Sequence, residues 1–406
     1  MSGTATAEAD ATRPLRRRLY LLAFVDEFGP IYAVYTLWFN DNGISTPQIS
    51  TAFLIWAIAA VAFEIPSGAL ADTVDRRRLL AGAFVVRAIG ITIWLVWPTF
   101  AGLLVGAVLW AVHDAAASGA WEAMIHDQLR AVGRAADYPV VIARIGQFSH
   151  VGVAAGTLLG AGLLQVDVSL TTLGWLTVAA HAGSITLVLA LPDASPVRLS
   201  TPPGLPPSSA PNRTIGAGPV AEQILDDVGT AETWSYAAWW SALRGGVAEA
   251  RRSPVVGRVL ILVALLEGLF ILDEYVPLLA RARGGDDAAA PIIVFVVWLG
   301  LLLGGELAAR LPAISGRALG ALLIVATGVT TVAFVVESVW ALMLIAVGYA
   351  ALEAGMITGD ARLQERTPDA TRATVTSVGG FGSAVVSMLA FVVIGAMADG
   401  DDPTPG

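Results

Sequence analysis

The stretch "ISTAFLIWAIAAVAFEIPSGALADTVDRRRLL", Ile49 to Leu80, decides how this chain must be read. From Ile49 to Pro66 it carries one charge, Glu64, over a length able to cross about 30 Å of hydrocarbon as a helix. It then passes Asp72, Asp75 and the arginines Arg76, Arg77 and Arg78 before a new apolar run starts at Leu79. Apolar, charged, apolar is the signature of two spans joined by a turn. Similar runs cover Leu79–Trp97 and Ile292–Gly305. None alternates in polarity, as a spanning strand should. Composition agrees: 56% of residues are hydrophobic, 14% are charged and the mean hydropathy is +0.70, whereas an ordinary soluble protein is roughly 25% charged. The 42 glycines suit close helix packing in lipid. The class is all-α polytopic membrane protein.

Working outward, eleven spans are predicted, over 19–40, 48–71, 78–97, 99–124, 139–164, 170–191, 256–280, 289–310, 317–336, 338–360 and 373–398. They fall six before and five after a break, and no twelfth is evident. The domains read as 1–191, a six-helix bundle; 192–253, a linker; 254–398, a second helical bundle; and 399–406, a tail. The linker opens with the Pro/Ser-rich "PDASPVRLSTPPGLPPSSAPNRT". It closes with an amphipathic helix in which Tyr236, Trp240, Leu243 and Val247 share a face. That helix either lies on the membrane surface or packs on the underside of the protein.

Arginine placement sets the orientation. Arg16–Arg18, Arg76–Arg78, Arg130, Arg134, Arg251, Arg252, Arg310, Arg317, Arg362 and Arg366 all fall at alternate turns on the N-terminal side, with Arg281 and Arg283 as exceptions. By the positive-inside rule the N-terminus and linker are cytoplasmic, in a cell (inner or plasma) membrane. Trp38, Trp97, Trp175 and Trp340 sit near outer span ends and read as an interfacial belt.

Several chemistries are excluded. There is no Cys and no Lys, which removes thiolate sites, a Walker A lysine and a Schiff-base lysine. His113, His126, His150 and His181 lack zinc-ligand spacing. The net charge of −9 does not suit nucleic acid. No cofactor, metal or enzymatic set is legible.

On Glu64 to Leu80 the chain resembles the major facilitator superfamily, whose loop motif Gly68, Asp72, Arg76 and Arg77 match. "EIPSGALAD" and the span 4 ending "SGAWEAMIHDQL" resemble an efflux-like branch of it. The resemblance implies two pseudo-symmetric helical bundles and secondary active transport. It also implies a conformational lock made of Glu64, Gly68, Asp72, Arg76 and Arg77, with Asp72 facing the start of a helix in the other half and Thr371 as an N-cap there. Departures are Thr73 for a basic residue, Asp75 for Gly, and His113–Asp114 where many proton-coupled members carry a span 4 arginine. Span 5 has Gly152, Gly156 and Gly160 at every fourth position but no Gly-Pro signature.

Carboxylates inside apolar runs are the remaining puzzle. "LYLLAFVDEFGP" places Asp26 and Glu27 in span 1, and "LILVALLEGLFILDEYVP" places Glu267, Asp273 and Glu274 in span 7. By depth Glu27 corresponds to Glu267, Glu64 to Glu306 and Glu122 to Glu353. Each charge at mid-bilayer costs at least about 2.5–3.5 kcal/mol, so these acids should face water, a partner or each other. Arg87 and Arg144 are the available cations, too few to neutralise them all, so part of the set should be neutral at pH 7. The candidates for proton coupling and the substrate cavity are Asp26, Glu27, Asp114, Glu267, Asp273 and Arg144, with Tyr32, Tyr35 and Trp56 as candidate lining. The expected partners are a small-molecule substrate, protons and membrane lipid. The expected function is proton-coupled efflux of a cationic or amphipathic organic molecule. Proton-coupled metabolite uptake, or a sensor that moves nothing, are the alternatives.

Overall fold

A computed structural model describes residues 2–71, 74–192, 236–311 and 314–399, and no strand occurs among them. The helices before the linker are α1 (Ser2–Glu27), α2 (Tyr35–Asp41), α3 (Thr46–Ala71), α4 (Arg76–Val96), α5 (Phe100–Ala131), α6 (Tyr138–Leu164) and α7 (Leu170–Leu189). After it come α8 (Tyr236–Arg252), α9 (Pro254–Gly268), α10 (Val276–Ala282), α11 (Ala289–Arg310), α12 (Gly316–Val335), α13 (Ile345–Arg366) and α14 (Asp369–Asp399). Ten segments of this set are long and apolar enough to cross a membrane, and they take in predicted spans 2 to 11. The short turns end and restart these helices by side-chain capping. Asp75, Thr99, Ser169, Ser253 and Ser315 each accept a backbone N–H of the first turn that follows.

Packing repeats between the halves. In the first, α1 packs on α6, α3 on α5 and α4 on α5; in the second, α9 packs on α14, α11 on α13 and α12 on α13. The halves meet through α3 against α14 and α6 against α11. The predicted amphipathic helix, α8, is not a free surface helix. It packs on α14, where Gly246 sits against Thr374 and Val378.

Span 1 departs from the continuous helix expected. It stops at Glu27, runs as turns to Val34 and restarts as α2. Gly29 and Pro30 explain this. Proline lacks the N–H a helix needs and its ring clashes with the preceding turn, while a Cβ on Gly29 would stand 2.4 Å from the Tyr32 ring. Span 7 breaks too, with a 3₁₀ segment over Phe270–Tyr275 between α9 and α10. The glycines of α6 seat the first break: a Cβ on Gly152 would meet the Phe24 carbonyl oxygen at 2.3 Å, one on Gly156 the Gly29 nitrogen at 2.9 Å, and one on Gly160 the Pro30 carbonyl oxygen at 2.5 Å.

The apolar core divides unevenly. On the side away from the arginines a single cluster spans both halves, with Ile31, Leu37 and Phe53 from one and Val276, Ile293 and Phe391 from the other. On the arginine-rich side there are two clusters, one per half, around Leu19 and Phe84 and around Leu260 and Val375. The far side is therefore an apolar seal.

Arg281 and Arg283, the exceptions to the arginine rule, hold this seal. Arg281 bonds Asp41 (2.5 Å) across the halves and Asp287 (2.6 Å). Arg283 donates to the carbonyls of Ala333, Phe334 and Val336 at the end of α12, where a cation complements both orphan carbonyls and helix dipole. Trp97, Trp175 and Trp340 are exposed as a belt requires. Trp38 is not: it is buried and donates to Thr171 (3.0 Å).

Gly152→Val should cost about 1–3 kcal/mol through overpacking against the Phe24 carbonyl. Gly162→Val, with open space around its Cβ, should cost far less. Thermal melting of the two purified variants checks this.

Candidate functional site

The two breaks carry the polar groups of the molecule's centre, and Phe28 and Leu269, where they begin, are 241 residues apart. A backbone that leaves helical form inside a membrane frees N–H and C=O groups that must find partners within the protein. At the first break the Ile31 N–H donates to Thr177 Oγ1 (3.2 Å) and Arg87 donates to the Asp26 carbonyl oxygen (2.9 Å). At the second, Tyr349 Oη donates to the Phe270 carbonyl (2.8 Å) and Ser387 Oγ to the Gly268 carbonyl (3.0 Å). Neighbouring spans of the same half thus cap each break.

Around the first break lies a paired network. Arg87 of α4, 4% exposed, also donates to the Asp26 carboxylate. Its Nη2 is 3.3 Å from His181 Nδ1, and His181 Nε2 is 2.7 Å from Tyr32 Oη. A guanidinium has only donors, so His181 Nδ1 must be an acceptor there. The ring is then neutral, with its proton on Nε2 facing Tyr32. Beside it, Asp114 accepts from Trp56 Nε1 (3.0 Å) and lies 3.0 Å from His113 Nδ1.

The second break is different. Asp273 and Glu274 lie in its 3₁₀ segment, and among the described residues neither pairs with an arginine. Glu274 Oε2 instead accepts from Tyr35 Oη of the opposite half at 2.5 Å. Next to it Tyr275 Oη donates to Ser50 Oγ, also across the halves, at 2.9 Å. The two networks touch through a row of rings: Tyr32 tilted against Trp110 (5.5 Å, 58°), Trp110 stacked on Trp94 (5.4 Å) and Trp94 stacked on Tyr35 (5.9 Å). Trp94 is buried within the row, while Tyr32, Tyr35 and Trp110 are half-buried, and aromatic surface of that kind between carboxylates attracts organic cations.

The predicted residues are distributed as follows. Asp26, Glu27, Asp114 and Asp273 lie at or beside the breaks, and Glu27 is the last residue of α1. Glu267 is the last but one of α9 and is exposed, on the arginine-rich side of its break. Arg144 is away from the cluster: it is exposed and bonds Gln147 of its own helix (2.9 Å). Of the glutamates that repeat by depth, Glu306 pairs with Arg310 on its own exposed helix face. In the loop motif, Glu64 is exposed beside Thr376 and Ser377 of α14, and Gly68 is in the last turns of α3. Arg76 bonds Asp127 (2.5 Å) and Arg77 the Leu191 carbonyl (2.6 Å), both within their own half. Asp72 lies outside the described residues. Thr371 is not a cap, because α14 already begins at Asp369.

Sequence reasoning named Tyr32, Tyr35 and Trp56 only as lining and left out Glu274, Arg87, His181, Trp94 and Trp110 as site residues. Glu274 and Arg87 had a signal, each being a charge inside an apolar span. The others had none.

The family model of the Major Facilitator Superfamily matches residues 19–391. Among proteins of curated function none matches the chain. Among solved structures the chain is similar in fold to the nucleoside transporter NupG, with TM-score 0.68, 15% identity, and coverage of 94% of this chain and 91% of that one. It is similar to a bacterial homolog of the human lysosomal transporter Spinster in an inward-facing conformation, with TM-score 0.58, 19% identity, and coverage of 96% and 83%. It is also similar to a D-xylose-proton symporter, with TM-score 0.61, 13% identity, and coverage of 95% and 94%. At these identities the likeness is one of fold.

Arg87→Met leaves Asp26 and His181 without their donor, and breaking a buried pair from one side costs about 3–5 kcal/mol. Adding Asp26→Asn should return part of that loss. A double variant that melts no higher than Arg87→Met alone would remove the ion pair from the account.

Proposed function

Because the chain belongs to the major facilitator superfamily and is therefore a transporter rather than an enzyme, we propose that it expels a small cationic or amphipathic organic molecule in exchange for protons. In this reading it sits in the cell membrane with its N-terminus in the cytoplasm, and belongs to the efflux-like branch whose "EIPSGALAD" stretch it carries. Residues 1–191 and 254–398 are the two rocking bundles, and the route to the site runs from the arginine-rich, cytoplasmic side. The observation that carries the reading is Glu274: a carboxylate at a helix break, with no arginine on it among the described residues, bonded to Tyr35 of the opposite half.

The physical argument is one of coupled equilibria. A hydrogen bond to an ionised carboxylate is roughly twice as strong as one between neutral groups. Deprotonated Glu274 therefore holds Tyr35, and with it the far-side seal, more firmly than protonated Glu274 does. Protonation loosens the seal and biases the molecule toward opening outward, which is what differential binding of a ligand to two states means. Asp273, next in the chain, and Glu27, at the mouth of the first break, supply further negative charge for a cation. Asp26 has a different role: Arg87 already neutralises it, so it fixes the first break rather than attracting substrate. Tyr32, Tyr35 and Trp110, half-buried around the buried Trp94, supply the aromatic surface for an organic cation.

The test is reconstitution of the full chain in liposomes with an imposed pH gradient and a fluorescent organic cation. Acid inside should drive accumulation of the cation as protons leave. Glu274→Gln should reduce the gradient-driven rate at least about tenfold, the factor carried by about 1.4 kcal/mol of lost coupling, without altering the melting temperature by more than a few degrees. Glu27→Gln should weaken apparent cation affinity. Accumulation of an uncharged sugar or nucleoside along the proton flow would make the protein a symporter. No flux with any of these would leave the sensor reading.

A further inference from the structure

The halves meet along α6 and α11 on one flank of the molecule. Beside that seam, on the arginine-rich side of the breaks, each half places a titratable side chain that the transport reading leaves unused: His150 of α6 and Glu353 of α13. Their levels are fixed by their neighbours. Two residues after His150, Gly152 sits on the Phe24 carbonyl, just before the first break opens. One turn before Glu353, Tyr349 caps the second break, and Glu353 continues that face of α13 toward its arginine-bearing end. A Cβ on Gly304 of α11 would stand 2.8 Å from the Glu353 Cβ, so the carboxylate is held close to α11, the helix on which α6 packs.

The imidazole is oriented as well. His150 Nδ1 lies 2.7 Å from the Gly146 carbonyl oxygen of its own helix. A carbonyl only accepts, so Nδ1 carries the hydrogen and Nε2 is the nitrogen left to take up a proton. The ring is exposed and Glu353 is half-buried. They stand within electrostatic reach of each other across the halves, yet no ion pair joins them among the described residues.

The other charges on the helices packed around them are engaged elsewhere. On α1, Arg16 bonds Asp137, and Asp26 bonds Arg87 with Glu27 beside it. On α5, Asp114 is held by Trp56 and His113, Asp127 by Arg76, and Glu122 neighbours Tyr138. Glu306 of α11 pairs with Arg310, and Arg144 of α6 bonds Gln147. In the second half Glu267 of α9 and Asp360 of α13 neighbour each other, Arg362 donates to the Ile314 carbonyl, and Arg317 stands in the first turn of α12.

The far side shows how the halves are fastened when shut: Arg281 on Asp41, Tyr35 on Glu274 and Tyr275 on Ser50. The arginine-rich side instead has two separate apolar clusters, one per half. In the two-bundle reading, rocking that opens the far seal brings the arginine-rich sides together, with His150 and Glu353 facing across the seam.

We propose that His150 and Glu353 form a proton-dependent latch for the arginine-rich side, the imidazolium Nε2–H donating to the Glu353 carboxylate when that side closes. Imidazole is the side chain that gains charge between about pH 8 and pH 5. The closed state gains the pair only while the ring is charged, so closure strengthens as pH falls and weakens as pH rises. The latch rests on the two-bundle reading above and needs neither Glu274 nor the identity of the substrate.

The test measures the separation of spin labels on Val132→Cys and Leu311→Cys, exposed C-cap positions of α5 and α11 at the arginine-rich end of opposite halves. The otherwise cysteine-free full chain is held in lipid nanodiscs, in a Glu274→Gln background that removes the titration of the far seal. There the ratio of short to long separations should rise roughly 2-fold to 5-fold between about pH 8 and about pH 6, as for a partly exposed ion pair. His150→Gln and Glu353→Gln should each remove that rise, and the two together should remove no more than either alone. His150→Arg, charged throughout, should hold the higher ratio at both pH values. A rise that survives either Gln variant, or that Arg144→Gln abolishes equally, would overturn the latch and leave the two-bundle reading standing. A single separation in every variant and at both pH values would overturn both.

Discussion

A carboxylate set where a helix stops inside a membrane must find donors from the protein, and at Glu274 the donor belongs to the opposite half. That one bond, from Tyr35, joins a titratable group to the contact that closes one side of the molecule. Without it the acid would be an expense of burial with no mechanical consequence. With it, in the proposed mechanism, a proton gained or lost changes how strongly the halves adhere. The neighbouring Tyr275–Ser50 bond and the Arg281–Asp41 pair lie on the same side and share the load.

The breaks make this possible, and each is built by its own half. The first rests on Gly152, Gly156 and Gly160 of α6, which let its backbone approach, and on Arg87, Thr177 and the Asp26 backbone. The second has its carbonyls capped by Tyr349 and Ser387. Caps supplied from within a half leave each half free to move as a body, while the bonds that cross between halves remain few and breakable. The uneven core says the same in apolar terms: one shared cluster on the sealed side, two separate ones on the other.

Span number and position are legible in the sequence because a helix in lipid has to be apolar along its whole length, so ten of the segments announce themselves. The first break carries a signal, Gly29-Pro30, but not a decisive one: Pro14 and Pro66 lie inside helices, and 19–40 reads as one continuous span. The second carries none: Phe270–Tyr275 has neither glycine nor proline, and Pro277 falls in the first turn of the helix that follows, where proline is tolerated. The acids of the site stand out because apolar surroundings make any charge conspicuous. Their partners do not. Arg87 and Arg144 look alike in sequence, both arginines set among apolar residues of a span, yet one is buried on Asp26 and the other exposed on Gln147. His181, Trp94 and Trp110 carry no motif, and only the packing of α4, α5 and α7 shows what they face. The loop motif is legible as a string, while the structure gives its arginines partners within one half.

The most direct measurement uses the absence of cysteine from the chain. A single Ala280→Cys, buried in α10 within the seal, is labelled with a membrane-impermeant thiol reagent from the far side. Its rate is divided by that of Val166→Cys, an exposed position, to cancel the reagent's own pH dependence. If Glu274 latches the halves, the corrected rate rises as pH falls, and in the Glu274→Gln background it is high at every pH. A corrected rate that ignores both pH and Glu274→Gln would contradict the claim that this carboxylate holds the seal.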